Sequence, residues 1–271
     1  MRTIIKPGGR FSLADLAAIW QYRELGYFLV KRDVSVRYKQ TLLGGLWAVL
    51  QPTLAMAVFS VFLGRMAGVP SEGIPYPVFV YAGLLPWLYF AGALSAASES
   101  MVGSANLITK VYFPRLIVPA AAVLTGLVDL LVASAVLAVL MLYYGLVPGP
   151  AVLLLPALVA LTALCAAGAG FWLAALNVEY RDIRYTVPFL IQLWMFASPV
   201  IYPSAIVPER YQWLFAFNPM AGLLKAFRAS ALGHQAVDWA SLGISAAVIG
   251  LLLASGLLYF RRMERSFADV I

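Results

Sequence analysis

Charged side chains are scarce in this sequence, and that scarcity excludes a soluble globular protein. Asp, Glu, Lys and Arg make up 11% of the 271 residues, whereas a soluble domain carries about 25%. Hydrophobic residues reach 63%, and the mean hydropathy is +0.88. The single Cys165 excludes an intrachain disulfide. The single His234 leaves no His-rich or Cys-rich metal motif in the sequence.

Six long apolar stretches fill the chain, and they predict an all-α integral membrane protein. About 20 apolar residues cross the hydrocarbon core as a helix, and a helix satisfies its own backbone there. We expect residues 1–40 to form a cytoplasmic tail and residues 41–271 to form one transmembrane domain. The predicted spans are residues 42–64, 78–98, 116–144, 151–176, 186–203 and 237–260.

The basic residues predict the orientation of these spans. All but four of the 19 Lys and Arg residues fall on one side of the six predicted spans; the exceptions are Arg65, Arg210, Lys225 and Arg228. Basic residues stay in the cytoplasm, so both termini are expected there. The net charge of +7 is explained by this topology and by contact with anionic membrane lipids. It therefore gives no reason to expect a nucleic-acid partner.

Residues 12–30 predict an amphipathic helix at the membrane interface. Ser12 and Asp15 fit a capping box, and apolar residues such as Trp20 and Phe28 recur near helical spacing. The segment is too polar to span, so we expect it to lie in the membrane plane. It is either an anchor alone or an anchor that also touches a partner.

The segment after the fifth predicted span is expected to form short re-entrant helices on the external side. Pro199 and Pro203 disrupt the end of that span. Residues 204–232 then alternate apolar runs with prolines and charges, and irregular backbone at membrane depth must be covered by protein or face water. The segment is either an external gate or a simple interfacial hairpin.

Little reactive chemistry is visible along the chain. No G-x-x-x-x-G-K-[ST] motif occurs, so ATP hydrolysis through a P-loop is excluded for this sequence. Asp129 is the only carboxylate near the centre of a predicted span. It is a proton relay, a pore contact or a partner in an interhelical hydrogen bond to Ser, Thr or Asn. The residues favour the hydrogen bond, since proton-driven transport would call for more than one such group.

Two cytoplasmic connectors combine charges with large apolar groups. That composition is typical of a protein contact, although Tyr, Phe and Arg also anchor at headgroup level, and composition leaves both readings open. The candidate contact residues are Asn106, Leu107, Lys110, Val111, Tyr112, Phe113 and Arg115 in the first connector, and Glu179, Tyr180, Arg181 and Asp182 in the second.

With these motifs in order, the chain resembles the permease subunit of ABC-2 type exporters of polysaccharides and polyol phosphates. The resemblance runs from about residue 20 to the end. It rests on the two connectors, on Ser198-Pro199-Val200-Ile201-Tyr202-Pro203, on Asn218-Pro219, and on a cytoplasmic entry motif comprising Arg32, Asp33, Arg37, Tyr38, Lys39 and Gln40.

The resemblance implies an ABC-2 fold of the type V exporter kind and a homodimer with two copies of a separate ATPase subunit. No cofactor is implied in this chain; ATP and Mg would bind the ATPase. The connectors would couple to that subunit, and the dimer would export a lipid-linked polysaccharide, with O-antigen as the leading candidate, across the bacterial inner membrane. A small-molecule exporter such as a drug exporter, or a teichoic-acid or capsule exporter, is the alternative.

Aromatic residues in the spans and in the external segment are candidates for a channel wall or gate. Their faces stack on sugar rings and would let a glycan slide, although each one also suits lipid contact or core packing. The candidates are Trp47, Phe59, Phe62, Phe189, Trp194, Phe196, Tyr202, Trp213, Phe215 and Phe217.

Other functional classes fit less well. A secondary transporter or channel would also have six spans, but it gives no reason for the patterned connectors. A membrane enzyme would need a polar catalytic cluster, and the nearest candidate is Glu179 with Arg181 and Asp182.

The predicted topology is testable by labelling single cysteines in intact cells. In a Cys165→Ser background, cysteines at positions 149 and 210 should react with a membrane-impermeant maleimide. Cysteines at positions 110 and 182 should react only after the cells are opened. External labelling at 110 or 182 would contradict the assignment of the termini to the cytoplasm.

Overall fold

The computed structural model describes residues 20–39, 44–264 and 267, and the regular elements in these ranges are helical. The ten α-helices are α1 (Arg23–Lys39), α2 (Leu46–Phe59), α3 (Tyr76–Gly103), α4 (Ala105–Lys110), α5 (Ile117–Tyr143), α6 (Leu155–Glu179), α7 (Ile183–Phe196), α8 (Glu209–Phe217), α9 (Pro219–Leu232) and α10 (Trp239–Met263). A π-helical turn (Ser60–Met66) continues α2. Short 3₁₀ turns (Pro150–Leu154 and Ser204–Ile206) precede α6 and α8.

Helix α3 is the centre of the bundle. It is apolar on all sides until Glu99, which is the pattern of a buried helix. In its apolar 18-residue stretch, 78% of the residues are buried inside the protein. Tyr81, Trp87 and Phe90 are almost fully enclosed there. Helices α2, α5, α6 and α9 pack around it. By contrast, only 6% of the residues in the apolar stretch of α2 and its π-helical turn are buried. This span therefore leaves a long apolar surface exposed.

Within the described residues, five helices are long and apolar enough to cross a membrane: Leu46–Met66, Tyr76–Gly103, Ile117–Tyr143, Pro150–Glu179 and Trp239–Met263. The predicted span 186–203 is not among them; helix α7 covers its first part, and the disruption expected from Pro199 and Pro203 follows it. Helix α7 has 14 residues and measures about 21 Å, short of the ~30 Å hydrocarbon core. It ends at Phe196 because Pro199 and Pro203 follow.

The segment that contains α7 nevertheless runs from one end of α3 to the other. Before α7, the Asn177 side chain donates to the carbonyl of Ser98 at 2.9 Å. After α7, the Tyr76 hydroxyl donates to the carbonyl of Ile201 at 2.7 Å. Ser98 and Tyr76 lie about 33 Å apart along α3. We infer that this crossing is made by a short helix followed by irregular backbone.

Helices α8 and α9 form a re-entrant hairpin in the predicted interval. The chain reverses at Asn218, whose Oδ1 accepts hydrogen bonds from Met220 N and Trp194 Nε1, both at 3.0 Å. Trp194 packs on Phe90 with ring centroids 5.0 Å apart, so the reversal lies about halfway down α3. From there α9 returns outward, and of its residues only Lys225 is not buried.

Side chains satisfy the carbonyls that the broken crossing leaves without helical partners. The Tyr202 hydroxyl donates to Phe196 O at 2.8 Å, and Asn218 Nδ2 donates to Ala197 O at 3.1 Å. These bonds supply inside the protein what water cannot supply in a bilayer.

Arg228 of α9 completes this set. Its guanidinium donates to Val200 O and, at 3.3 Å, to Phe79 O, and it lies 4.0 Å from the Phe79 ring centroid. A Cβ at Gly83 would lie 2.3 Å from the guanidinium nitrogen. The glycine is therefore required for this close approach.

Arg228→Met should destabilise the protein, because it leaves two carbonyls unpaired at a cost of about 1–3 kcal/mol each. Cys165 is fully buried, so its reaction with a thiol-reactive dye during heating reports unfolding. The onset should move to lower temperature in Arg228→Met. It should stay unchanged in Arg210→Met, whose exposed side chain places its guanidinium over the ring of Tyr211. If Cys165 begins to react at the same temperature in Arg228→Met as in the parent protein, Arg228 does not have this role.

Candidate functional site

Helix α1 packs lengthwise along the first half of α5. An added Cβ at Gly26 would lie 3.5 Å from Ile117 Cγ2. One turn on, Leu29 is buried in a cluster with Ile117, and Arg37 reaches Asp129. The two helices therefore run in parallel over about 18 Å. This differs from the in-plane orientation expected from the sequence, because α1 follows a membrane-crossing helix; residues 12–19 of that prediction lie outside the described residues.

Asp129 joins the end of α1 to α5. Its carboxylate accepts hydrogen bonds from Arg37 Nη1 and from the Tyr38 hydroxyl. Burial, followed by the hydrogen bond to Asp129, raises the pKa of Tyr38 to about 12, so the phenol stays a donor. Asp129 therefore makes interhelical bonds to Arg37 and Tyr38, and not to the Ser, Thr or Asn that the sequence favoured.

A cavity of about 380 Å³ lies beside this ion pair, between α2, α3 and α5. Trp47 and Tyr89 offer ring faces to it, while Gln51, Tyr38 and Asp129 supply polar groups. Tyr89 is held in place by a hydrogen bond to Val123 O at 3.3 Å. The combination of aromatic faces with donors and acceptors suits a ligand that is polar at its edges and flat on its faces.

The rest of the entry motif lies along the same face of α1. Arg32 pairs with Asp33 at 2.8 Å, and half of the Arg32 side chain remains exposed. Both residues line a second opening of about 300 Å³ next to Glu99 and Ser100. Lys39 is exposed at the end of α1, and Gln40 lies outside the described residues.

The first connector divides into exposed and buried residues. Asn106, Lys110, Val111 and Tyr112 are exposed, with Tyr112 at 72%, and Leu107 is half-buried. Phe113 is only 3% exposed because it packs with Ile108 and Phe267 in the chain's own core. The prediction that Phe113 anchors a partner is therefore corrected.

Arg115 is also engaged within the chain. Its guanidinium donates to the carbonyl of Glu264, and its backbone N–H donates to Glu264 Oε1 at 3.3 Å. These bonds fasten the start of α5 to the end of α10, so Arg115 positions the connector rather than extending from it.

The second connector is exposed in full. Glu179, Tyr180, Arg181 and Asp182 all lie on the surface, at the same end of the bundle as Glu99 and Tyr112. The preceding Asn177 fixes their position along α3, because its side chain donates a hydrogen bond to Ser98 O. Both connectors therefore expose aromatic and charged side chains at this end of the bundle.

The aromatic channel candidates also separate into two groups. Trp194 and Tyr202 make hydrogen bonds within the chain that shape the break after α7, and Phe59 and Phe215 are half-buried. Trp194 is thereby reassigned from channel wall to structural support. The exposed candidates are Trp47, Phe62, Phe189, Phe196, Trp213 and Phe217.

Sequence reasoning missed Arg228, the buried cation on which the re-entrant hairpin depends. The signal was present: an arginine inside an apolar run, after Phe227, marks a buried ionic or hydrogen-bonded site in a membrane protein. Counting it only as an external positive charge concealed that role. Among the residues described, no group of three His, Cys, Asp or Glu side chains is placed to hold a metal ion.

Comparisons with known proteins agree with this architecture. A family model described as ABC-2 type transporter matches residues 24–232. The chain is 33% identical over 256 residues to the O-antigen export system permease protein RfbA of Myxococcus xanthus, covering 93% of this chain and 97% of that protein.

More distant relatives cover the chain almost as completely. An O-antigen export system permease protein RfbA of Klebsiella pneumoniae is 28% identical over 90% of this chain and 93% of its own length. The polysialic acid transport protein KpsM of Escherichia coli is 23% identical over 88% of this chain and 93% of its own length.

Asp129→Leu should loosen α1 from α5, because it removes the acceptor shared by Arg37 and Tyr38. Cysteines at positions 26 and 117, in a Cys165→Ala background, should form a disulfide readily in the parent protein. The Asp129→Leu change should slow this severalfold. Ser134→Ala is the matched control one turn along α5, since Ser134 donates only to Leu130 O of its own helix. Unchanged cross-linking in Asp129→Leu would contradict the role of the ion pair.

Proposed function

This chain belongs to the ABC-2 type transporter family, and on that premise we propose that it is the permease subunit of an ATP-driven exporter of lipid-linked polysaccharide, with O-antigen as the leading substrate. The observation that carries the proposal is the 33% identity over nearly the whole chain to a permease named for O-antigen export. The aromatic and polar cavity beside Asp129 supports it, since such a lining suits sugar rings.

The chain is a transport subunit and not an enzyme. ABC-2 permeases work with a separate ATPase that hydrolyses ATP, and no phosphate-binding P-loop occurs in this sequence. We propose that ATP and Mg bind that partner, of which two copies would serve a dimeric permease. The partner would dock on Val111, Tyr112 and residues 179–182, which share one exposed surface.

A homodimer is supported by the apolar surface that a single chain leaves open. Helix α2 exposes Leu54 and Val58, its π-helical turn exposes Phe62, and α7 exposes Phe189 and Leu193. In a dimer these faces would meet a second copy or the transported glycan rather than lipid alone. The proposed membrane is the bacterial inner membrane, with both termini in the cytoplasm, because basic residues concentrate on the connector side.

We propose that the hairpin of α8 and α9 gates the external exit. Trp213 and Phe217 of α8 are exposed, whereas α9 is buried and fixed by Arg228. The mobile part of the gate is thus assigned to α8, with α9 as its support. The interfacial hairpin remains the alternative that the measurement below tests.

A second candidate substrate is a capsule-type polysaccharide, because one relative is named for polysialic acid transport. Reconstitution distinguishes the substrates. The chain and its ATPase in sealed vesicles should move lipid-linked O-antigen across the bilayer when ATP is supplied on the ATPase side. The purified chain alone should hydrolyse no ATP. Movement of small drugs without polysaccharide would overturn the proposal.

Tyr112→Ala should uncouple the ATPase. Losing an exposed aromatic anchor costs about 2 kcal/mol, which corresponds to roughly thirtyfold weaker association. The ATPase should be lost from pull-downs, and surface polysaccharide should disappear, while the chain stays in the membrane. Tyr143→Ala is the matched control, because Tyr143 is 81% exposed at the opposite end of the bundle. Normal export by Tyr112→Ala would exclude this docking surface.

Replacing both Trp213 and Phe217 with Ala should raise the ion conductance of the assembled complex in planar bilayers, because a loosened gate leaks ions. Leu142→Ala, at an exposed apolar position near the end of α5, should leave conductance unchanged. If the double variant assembles normally and conducts like the parent, α8 acts as an interfacial helix instead.

A further inference from the structure

A polar cavity opens on the external side, away from the ion pair of α1 and α5. It measures about 520 Å³ and lies between α8, α9 and the start of α10. Its outer part is bounded by Glu72 and Gln235, and it extends inward as far as Ala221 and Ser245. Its volume falls in the roughly 300–1,000 Å³ range of small-ligand sites.

The lining is dense in hydrogen-bonding groups. Gln212, Gln235 and Ser204 contribute amides and a hydroxyl, and Phe215 contributes an aromatic side chain. Such a set recognises a ligand that carries many hydroxyls and one apolar face.

The charges of the lining disfavour an anion. Lys225 Nζ is paired with Asp238 Oδ2 at 2.7 Å. That hydrogen bond, followed by those from Ser241, holds the pKa of the Asp238 carboxyl well below its usual range. Asp238 therefore stays charged and neutralises Lys225. Glu72 lies near the buried Arg228 guanidinium, so these two charges also balance, and the described residues of the lining offer a phosphate no unpaired cation.

Glu72 is held in an unfavourable backbone conformation. Its φ of 57° lies in the left-handed region, which side-chain-bearing residues rarely adopt. Such strain persists where the surroundings enforce it and concentrates at functional sites. The following Gly73, at φ 80°, completes the turn that directs Glu72 towards the cavity.

Ser245 is a second, independent indication of a ligand. It is 1% exposed and belongs to the lining at the inner end of the cavity. Its Oγ has no hydrogen-bond partner in the part of the chain that the structure describes. Buried hydroxyls are normally satisfied, so a ligand hydroxyl at this depth would complete the site.

We propose that this cavity binds a neutral sugar residue of the emerging polysaccharide. Glu72, Gln212 and Gln235 would bind its hydroxyls, and Phe215 would stack on its ring. This inference rests on the proposed function for its biological meaning, but the binding itself does not require export. A site at the exit would hold the glycan after each advance.

Saturation-transfer NMR tests the binding directly. The complex with its ATPase, in nanodiscs and without nucleotide, is titrated with D-mannose, D-galactose, L-rhamnose and N-acetyl-D-glucosamine. At least one sugar should give a saturable signal. Glycerophosphoethanolamine should give none, and its binding in place of any sugar would make the cavity a lipid-headgroup site and overturn the proposal.

Matched variants locate the binding. Glu72→Gln and Phe215→Leu should each weaken sugar binding by about tenfold, as expected for the loss of one strong contact. Glu99→Gln at the opposite end and Leu214→Ala, on the same helix as Phe215 but outside the lining, should leave it unchanged. Because all four variants are scored for assembly with the ATPase, a folding defect is recognised separately.

The outcomes separate this inference from the proposed function. Polysaccharide export without any sugar signal, or sugar binding that is insensitive to Glu72 and Phe215, overturns the external site alone. Sugar binding that responds to both variants, in a complex that exports no polysaccharide, sustains the site and overturns the proposed function.

Discussion

Backbone groups in hydrocarbon must find partners within the protein, and this demand organises the fold around the break after α7. Tyr202, Asn218, Arg228 and Tyr76 satisfy carbonyls of residues 196–201. Asn218 and Arg228 belong to the re-entrant hairpin, so the broken crossing depends on α9. Helix α9 in turn depends on the break, because Val200 O is a main acceptor for its buried guanidinium. Each segment therefore supplies hydrogen-bond partners that the other needs at membrane depth.

The ion pair between Arg37 and Asp129 has a different role, because it joins two helices instead of satisfying broken backbone. Arg37, Tyr38 and Asp129 join two helices where they border the cavity of about 380 Å³. Asp129 is the acceptor for both Arg37 and Tyr38, so its removal would break both bonds between the helices. The same helix α5 begins directly after the connector that carries Tyr112, and Arg115 fastens that start to α10. A partner that moves the connector would therefore also move Asp129 and the cavity wall.

Several features were predictable from the sequence, and the failures have physical causes. Long apolar stretches marked five spans because hydropathy reports directly on burial in lipid. The prolines at 199 and 203 indicated a disrupted end, but the helical break at Phe196 depends on Asn218 and Arg228, which are distant in the chain. Phe113 looked like a surface anchor because composition cannot distinguish an exposed aromatic from one that packs on Ile108 and Phe267. The partners of Asp129 were missed because α1 was expected to lie away from α5.

The cavity of about 380 Å³ lies at mid-height of the bundle, the cavity of about 520 Å³ lies on the external side, and the buried core of α3 separates them. Trp87 and Phe90 are almost fully enclosed in that core, so a glycan cannot pass between the cavities through the interior of one chain. A continuous path must therefore run along a surface. The span formed by α2 and its π-helical turn, together with α7, exposes apolar and aromatic side chains along such a path. In the proposed dimer, a second copy would enclose that surface and each chain would supply one wall.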